Sequence, residues 1–363
     1  MAFSPEPAHS HGQAQRTALL FCNLGTPDAP TTSAVRRYLA EFLQDPRVVE
    51  VPRAVWLPIL YGLILPFRPA KSAAKYASIW TKDGSPLRLW TEKQARLLQG
   101  WLGENGHQVK VRYAMRYGNP SIASQLDALK AEGATRILIL SAYPQYSGTT
   151  TASVIDSVNA WVSRARHVPE LRFANRYHDD RGYLAALAGR IQRYWSEHGK
   201  PDHFVMSFHG VPQRTLQLGD PYHCECQKTG RLLAGWLSLQ PGEYTVSFQS
   251  RFGKARWLQP YTEPTLKALG RKGAKRVDVA CPGFTSDCLE TLEEIAQEGR
   301  DAFLLAGGKV FHYIPCLNDD PAWIGALGSI AAGHLAGWPT RQAPDATVLA
   351  ASRDAALSMG ATK

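Results

Sequence analysis

A disulfide framework, a targeting leader, a membrane span and a dinucleotide fingerprint are all missing from this sequence, and each absence argues against a class of protein. The six cysteines, Cys22, Cys224, Cys226, Cys281, Cys288 and Cys316, are scattered over 363 residues. That is too sparse to staple a small secreted scaffold, so free thiols are expected. Only Cys224 and Cys226 are closely spaced, whereas a metal cluster needs about four thiolates brought together. Residues 1–20 carry no basic segment leading into a long apolar one, which predicts a chain that stays in the cytoplasm. No G-x-G-x-x-G follows an apolar run, since Gly25 and Gly210 stand alone, and this argues against a nucleotide-binding oxidoreductase. Acid is the scarcer charge: 31 Asp and Glu face 41 Lys and Arg, a net charge of +10, which favours anionic partners. The basic residues are dispersed rather than interleaved with stacking aromatics, so nucleic acid is not an expected partner.

What is present is apolar mass and repetition. With 44% apolar residues, the chain can bury a large core, and its length exceeds the usual single domain, so two domains are expected. Short apolar runs, Gly/Pro loops and helical patterns alternate, as in a parallel sheet covered by helices. The strand candidates are 18–22, 109–114, 136–141, 204–208, 245–249 and 277–280, all apolar enough to be buried on both faces. Three blocks then recur in the same order. Asn23-Leu24-Gly25-Thr26-Pro27 is echoed by Phe208-His209-Gly210-Val211-Pro212, and Arg116-Tyr117-Gly118 by Arg251-Phe252-Gly253 with a near-copied helical stretch after each (126–137 and 266–277). Tyr143-Pro144-Gln145-Tyr146-Ser147 is echoed by Cys281-Pro282-Gly283-Phe284-Thr285. Three matches in register predict two similar α/β domains facing each other. Their matching loops would lie at the carboxyl ends of parallel strands, where open α/β sheets bind ligands.

The halves are most informative where they differ. Before its glycine the first loop offers Leu24 and the second His209, and a histidine at a strand end is a candidate ligand or base, with a structural role as the alternative. Farther on, Glu290, Glu294 and Glu298 fall at i, i+4 and i+8 of a predicted helix capped by Thr285 or Ser286, with Asp287 at i−3 extending the row. Like charges at this spacing repel, unless a cation or protons pass along them; a solvated acidic face is the alternative. Tyr117, Tyr143, Tyr146, Phe252, Trp257 and Phe284 in the same loops would suit a flat ligand.

Residues 55–67 (VWLPILYGLILPF) have no charge but are broken by Pro58, Gly62 and Pro66 and followed by Arg68, Lys71 and Lys75. The run is too short to span a bilayer. It reads either as an apolar lip backed by cations, suited to peripheral contact with an anionic membrane or to admitting an apolar acid, or as a buried connection.

These blocks, together with YLAEFLQDPRVV (38–49), GSPL (84–87), GDPY (219–222) and CPGFTSDCLETLEEI (281–295), resemble the ferrochelatase family, which inserts ferrous iron into a porphyrin late in haem synthesis. The resemblance implies two facing Rossmann-like α/β domains, each a four-stranded parallel sheet flanked by helices. The expected division is 16–165 for the first domain with its lip at about 52–80, 170–318 for the second, a helix at 319–338, and a disordered tail at 339–363; residues 1–15 are also expected to be poorly ordered. It further implies that His209 and Glu290 bind the metal and handle the pyrrole protons. Glu294, Glu298 and Asp287 would form the path to them, and Leu24, Thr26, Arg116, Tyr117, Tyr143 and Phe284 would line the porphyrin pocket, with Arg116 and Tyr117 holding propionates. Ferrous iron is then the substrate and protohaem the product, no cofactor is required, and a [2Fe–2S] cluster is not expected because no cysteine follows Cys316. Two rivals stay open: a chelatase for another metal or for coproporphyrin, and a non-catalytic tetrapyrrole-binding module. No oligomeric state is implied.

Overall fold

The computed structural model describes residues 3–8, 10–253, 255–341 and 345–362. Within them lie two all-parallel four-stranded sheets of identical topology, ordered β2-β1-β3-β4 and β6-β5-β7-β8. The first comprises β1 (Arg16–Gly25), β2 (Val109–Tyr117), β3 (Ala134–Ser141) and β4 (Glu170–Ala174). The second comprises β5 (His203–His209), β6 (Tyr244–Gln249), β7 (Arg276–Ala280) and β8 (Val310–Tyr313). The six sequence-predicted strands are the inner members and one edge of each sheet. β4 and β8 are the opposite edges, and they extend the first sheet to Ala174, past the expected boundary at 165.

Alternation along the strands explains the layering, because successive side chains point to opposite faces. Ala18, Leu20 and Cys22 of β1 pack with Ile137 and Ile139 of β3 under helices Ile122–Ala131 and Thr151–Val162. Leu19 and Phe21 point the other way, into a core that also contains Phe204, Met206 and Phe208 of β5. Helices Arg181–His198 and Pro321–His334 contribute Tyr183, Trp195, Trp323 and Leu327 to that same core. The two sheets therefore share one apolar interior. The repeated glycines hold the matching strand ends together: a Cβ on Gly25 would strike the Tyr117 carbonyl, and one on Gly210 the Gln249 carbonyl.

Both ends depart from expectation. Ser4 N–H donates to the Arg164 carbonyl, and Glu6 accepts from the N–H groups of Arg166 and His167 and pairs with Lys130, so this stretch is fastened to the first domain. In the tail expected to be disordered, Ala346–Ser358 is an alanine-rich helix capped by the Asp345 carboxylate, with no buried side chain. The part of that expectation falling on 342–344 and 363 lies outside the described residues.

The apolar run is one continuous helical rod, Arg53–Ile59 and Leu65–Ile79 joined through a π-helical segment at Leu60–Ile64, where the prolines at 58, 66 and 69 disturb the backbone ladder. Its inner face buries Trp56, Leu60, Leu65 and Tyr76 against Tyr38 and Tyr117. Its outer face leaves Val55, Tyr61, Leu63 and Phe67 in solvent, Phe67 at 75% exposure. The inner face is a buried connection, and the outer face is exposed and apolar. Among the described residues, no helix is long and apolar enough to cross a membrane.

Candidate active site

The cleft lies at the carboxyl ends of the two sheets, where the repeated loops face each other. His209 ends β5, and its Nδ1 is 2.6 Å from the Gly210 carbonyl oxygen. A carbonyl only accepts, so Nδ1 carries the proton and Nε2 presents its lone pair. Burial lowers the His209 pKa, against the opposing pull of the Glu290 carboxylate and the Gly210 carbonyl. The imidazole is thus neutral near pH 7 and free to accept a proton or a metal ion. Its ring lies 6.4 Å from that of Trp257, which in turn meets Phe252 edge-on.

Glu290 opens a ten-residue π-helix, Glu290–Gly299, in place of the expected α-helix. Extended π-helices are rare and concentrate at functional sites. Thr285 and Ser286 do not cap it: they turn to the first domain, where Thr285 donates to the Ala142 carbonyl and Ser286 to Gln94. Gln94 ties the halves further by donating to the carbonyls of Thr285 and Asn318 at 2.9 and 2.8 Å. Gln249, paired in register with His209, donates to the Glu290 carbonyl at 2.8 Å and so fixes the start of the π-helix beside the histidine.

Along this helix exposure grows outward. Glu290 and Glu294 are partly buried, and the Glu298 side chain is 56% exposed. Glu294 accepts from both the N–H (2.6 Å) and the hydroxyl of Ser250, a non-glycine residue at φ 64°. Burial raises its pKa to about 7; the Ser250 hydrogen bonds oppose that rise, and the Glu290 and Glu298 charges add to it. A carboxyl titrating there can carry a proton or a cation at neutral pH. Asp287 does not extend the row. The chain is not yet helical at that point, and its buried carboxylate accepts from Asn318 (2.6 Å), Thr291 and Tyr313. These neighbours hold the loop, so a role for Asp287 in the path is not supported by its surroundings.

The opposite wall comes from the first half. Leu24 and Tyr117 pack in the cluster that also holds Tyr38, Tyr76 and Leu289, the residue before Glu290. Burial raises the pKa values of Tyr38, Tyr76 and Tyr143, and the nearby Glu290 charge adds to the rise in all three. These tyrosines of the first half are thus kept as protonated hydroxyls within reach of the Glu290 charge. Thr26 is buried with its hydroxyl 2.8 Å from that of Ser85, and Phe284 is partly buried beside the second half's core.

Arg116 and Tyr117, read as propionate holders, are engaged inside the protein. The Arg116 guanidinium pairs with Asp45 and donates to Ser153, and Tyr117 donates to Asp45 at 2.8 Å. Burial pushes the Asp45 carboxyl up, but the bonds from Ser153, the Arg47 N–H and Tyr117, with the Arg116 charge, hold it below the usual range. Sequence reasoning missed Tyr38, Tyr76, Gln249, Ser250 and the Asp45–Ser153 pair; Tyr38 and Asp45 stand in the 38–49 block and Gln249 at the end of a strand candidate, with nothing there to name their partners. A separate cavity of about 440 Å³ between His107, Leu335, Trp338 and Arg341 holds none of these groups.

The ferrochelatase family model matches residues 16–335, which includes both sheets and every residue of the cleft. The chain belongs to the ferrochelatase family. Among its relatives, the ferrochelatase of Methylibium petroleiphilum is 67% identical over 361 residues, 99% of each chain. That of Polaromonas sp. is 65% identical over 367 residues, 100% of each, and that of Dechloromonas aromatica 58% over 362 residues, 99% of each. Among solved structures, that of CbiX, the terminal enzyme for siroheme biosynthesis in denitrifying bacteria, aligns with 88% of this chain and 100% of its own at TM-score 0.49 and 13% identity. A likeness of that size leaves the fold of this ferrochelatase-family chain to be read from its own two parallel sheets.

Proposed function

We propose that this chain inserts ferrous iron into protoporphyrin IX to form protohaem, with His209 and Glu290 as the acting pair. The observation that carries the reading is the neutral imidazole with Nε2 unmasked, beside a carboxylate heading a row that runs outward to solvent. Membership of the ferrochelatase family supports it over a non-catalytic tetrapyrrole-binding module.

A free porphyrin holds two N–H protons in its plane, so the ring must bend before a metal ion can reach the nitrogens. Contacts along the ring faces can offset roughly 1–5 kcal/mol of such distortion, and Leu24, Tyr143 and Phe284 are the side chains we assign to them. His209 Nε2 takes the two pyrrole protons one after the other as general base, passing the first to the carboxylate row before accepting the second, while Glu290 delivers the metal ion. One imidazole and one carboxylate, without thiolate, bind a borderline divalent ion loosely enough to release it. Glu294 and Glu298 supply the ion and carry protons outward. No further cofactor enters this scheme.

The exposed apolar face of the lip, backed by Arg68 and Lys71, supports peripheral contact with the inner, anionic face of a membrane by a cytoplasmic protein. Co-sedimentation with anionic vesicles, lost in Phe67→Glu, is the expected result; equal sedimentation of both proteins would reject the contact. The reaction itself is tested by following porphyrin absorption under anaerobic conditions with ferrous or zinc ion, using protoporphyrin and coproporphyrin in parallel. Faster turnover of protoporphyrin is expected, and preference for coproporphyrin would reassign the substrate.

A further inference from the structure

One cation sits among the outer acids of the π-helix. Lys75 Nζ is 3.0 Å from Glu293 Oε2 and 2.7 Å from Glu298 Oε1. It belongs to the other half of the molecule, on the second helical segment of the lip, Leu65–Ile79. Seven residues earlier, on the same helical face, the Arg68 guanidinium lies 5.0 Å from the Phe252 ring centroid, on the loop that follows β6. The lip is thus fastened to the second half at two points, one on the π-helix and one on the loop after β6. The next residue, Tyr76, points inward, is buried against Tyr38 and senses the Glu290 charge. One turn of helix therefore joins the outer end of the acid row to the pocket wall.

We propose that Lys75 is a resident cation at the mouth of the carboxylate path, and that an incoming divalent ion displaces it, so that Lys75 sets the affinity for metal ion and loosens the lip as the ion arrives. The inference rests on the reading of Glu290, Glu294 and Glu298 as the metal route. A single ammonium balances two carboxylates, Glu293 nearly buried and Glu298 open to water. A doubly charged ion gains more from the same pair than a lysine does, and the Lys75 side chain, itself about a third exposed, has solvent to move into. The ion is then passed inward to Glu294, whose carboxyl is held by Ser250.

Lys75→Gln keeps the length and polarity of the side chain and removes the charge; Lys75→Arg keeps the charge. Titrating the full-length protein calorimetrically with zinc chloride, without porphyrin, is expected to give binding roughly fivefold tighter in Lys75→Gln than in wild type, the scale of one half-exposed ion pair. The KM for metal ion should fall by a similar factor while the KM for porphyrin stays, with Lys75→Arg close to wild type in both. Unchanged zinc affinity and metal KM in Lys75→Gln, or a rise in porphyrin KM alone, would overturn the proposal and leave Lys75 a clamp on the lip. Failure of the underlying reading is distinct, for the wild-type protein would then form no metalloporphyrin.

Discussion

The carboxyl ends of β1 and β5 occupy the same place in two sheets of one topology, yet one presents Leu24 and the other His209. The same division runs through the rest of the cleft. The first half contributes Leu24, Tyr38, Tyr76 and Tyr117, whose polar atoms are turned to internal partners or kept protonated by burial. The second half contributes a neutral imidazole and a graded row of carboxylates. Duplication of a fold yields a symmetric cradle; the chemistry follows from charge placed on one wall.

The largest effects should break that asymmetry. His209→Ala or Glu290→Ala is expected to lower metal insertion by about 10²–10⁴-fold, the range for a lost proton-transfer group, with an unchanged far-ultraviolet circular dichroism spectrum. Leu24→Ala, at the matching position, should instead raise the KM for porphyrin with little loss of kcat; equal loss of kcat in both loops would dissolve the distinction. In stability, by contrast, the halves should match. Leu20 and Leu266 are both fully buried, and replacing either with alanine is expected to cost about 2–5 kcal/mol in denaturant unfolding.

Smaller effects concern Glu294. Ser250→Ala removes one of its two donors, worth about 1 kcal/mol, and should move its titration above about 7, shifting the rise of insertion rate toward higher pH. The smallest is in stability. Because the folded-state pKa of Glu294 is raised from 4.5 to about 7, its contribution is fully present below pH 4.5 and is lost as pH rises through about 7. Glu294→Gln should therefore flatten the decline of stability across that window in thermal melts.

Much of this fold is legible in the sequence because the inner strands β1, β3, β5 and β7 are almost wholly buried and read as largely apolar runs. β4 (ELRFA) and β8 (VFHY) are edges, short and only partly buried, and carry too little apolar signal to stand out. His209 and Glu290 emerge from the comparison of duplicated loops and from acid spacing. The π-helix does not, because composition gives the i+4 row without the hydrogen-bond register; hence Asp287, three residues before the π-helix begins, is misread as part of the row. Lys75 with Glu298 and Tyr117 with Asp45 are joined across 223 and 72 residues of chain, and no local pattern announces a partner that far away.

If the second half's histidine performs metal insertion in a cleft that both halves build, its removal must stop the reaction. The direct test is anaerobic conversion of protoporphyrin by wild type and His209→Ala in the presence of ferrous ion, read from the porphyrin absorption bands. Rapid formation of protohaem by wild type, with porphyrin still bound but unconverted in His209→Ala, is the expected result. Comparable turnover in the two proteins, or porphyrin binding without conversion in both, would contradict it.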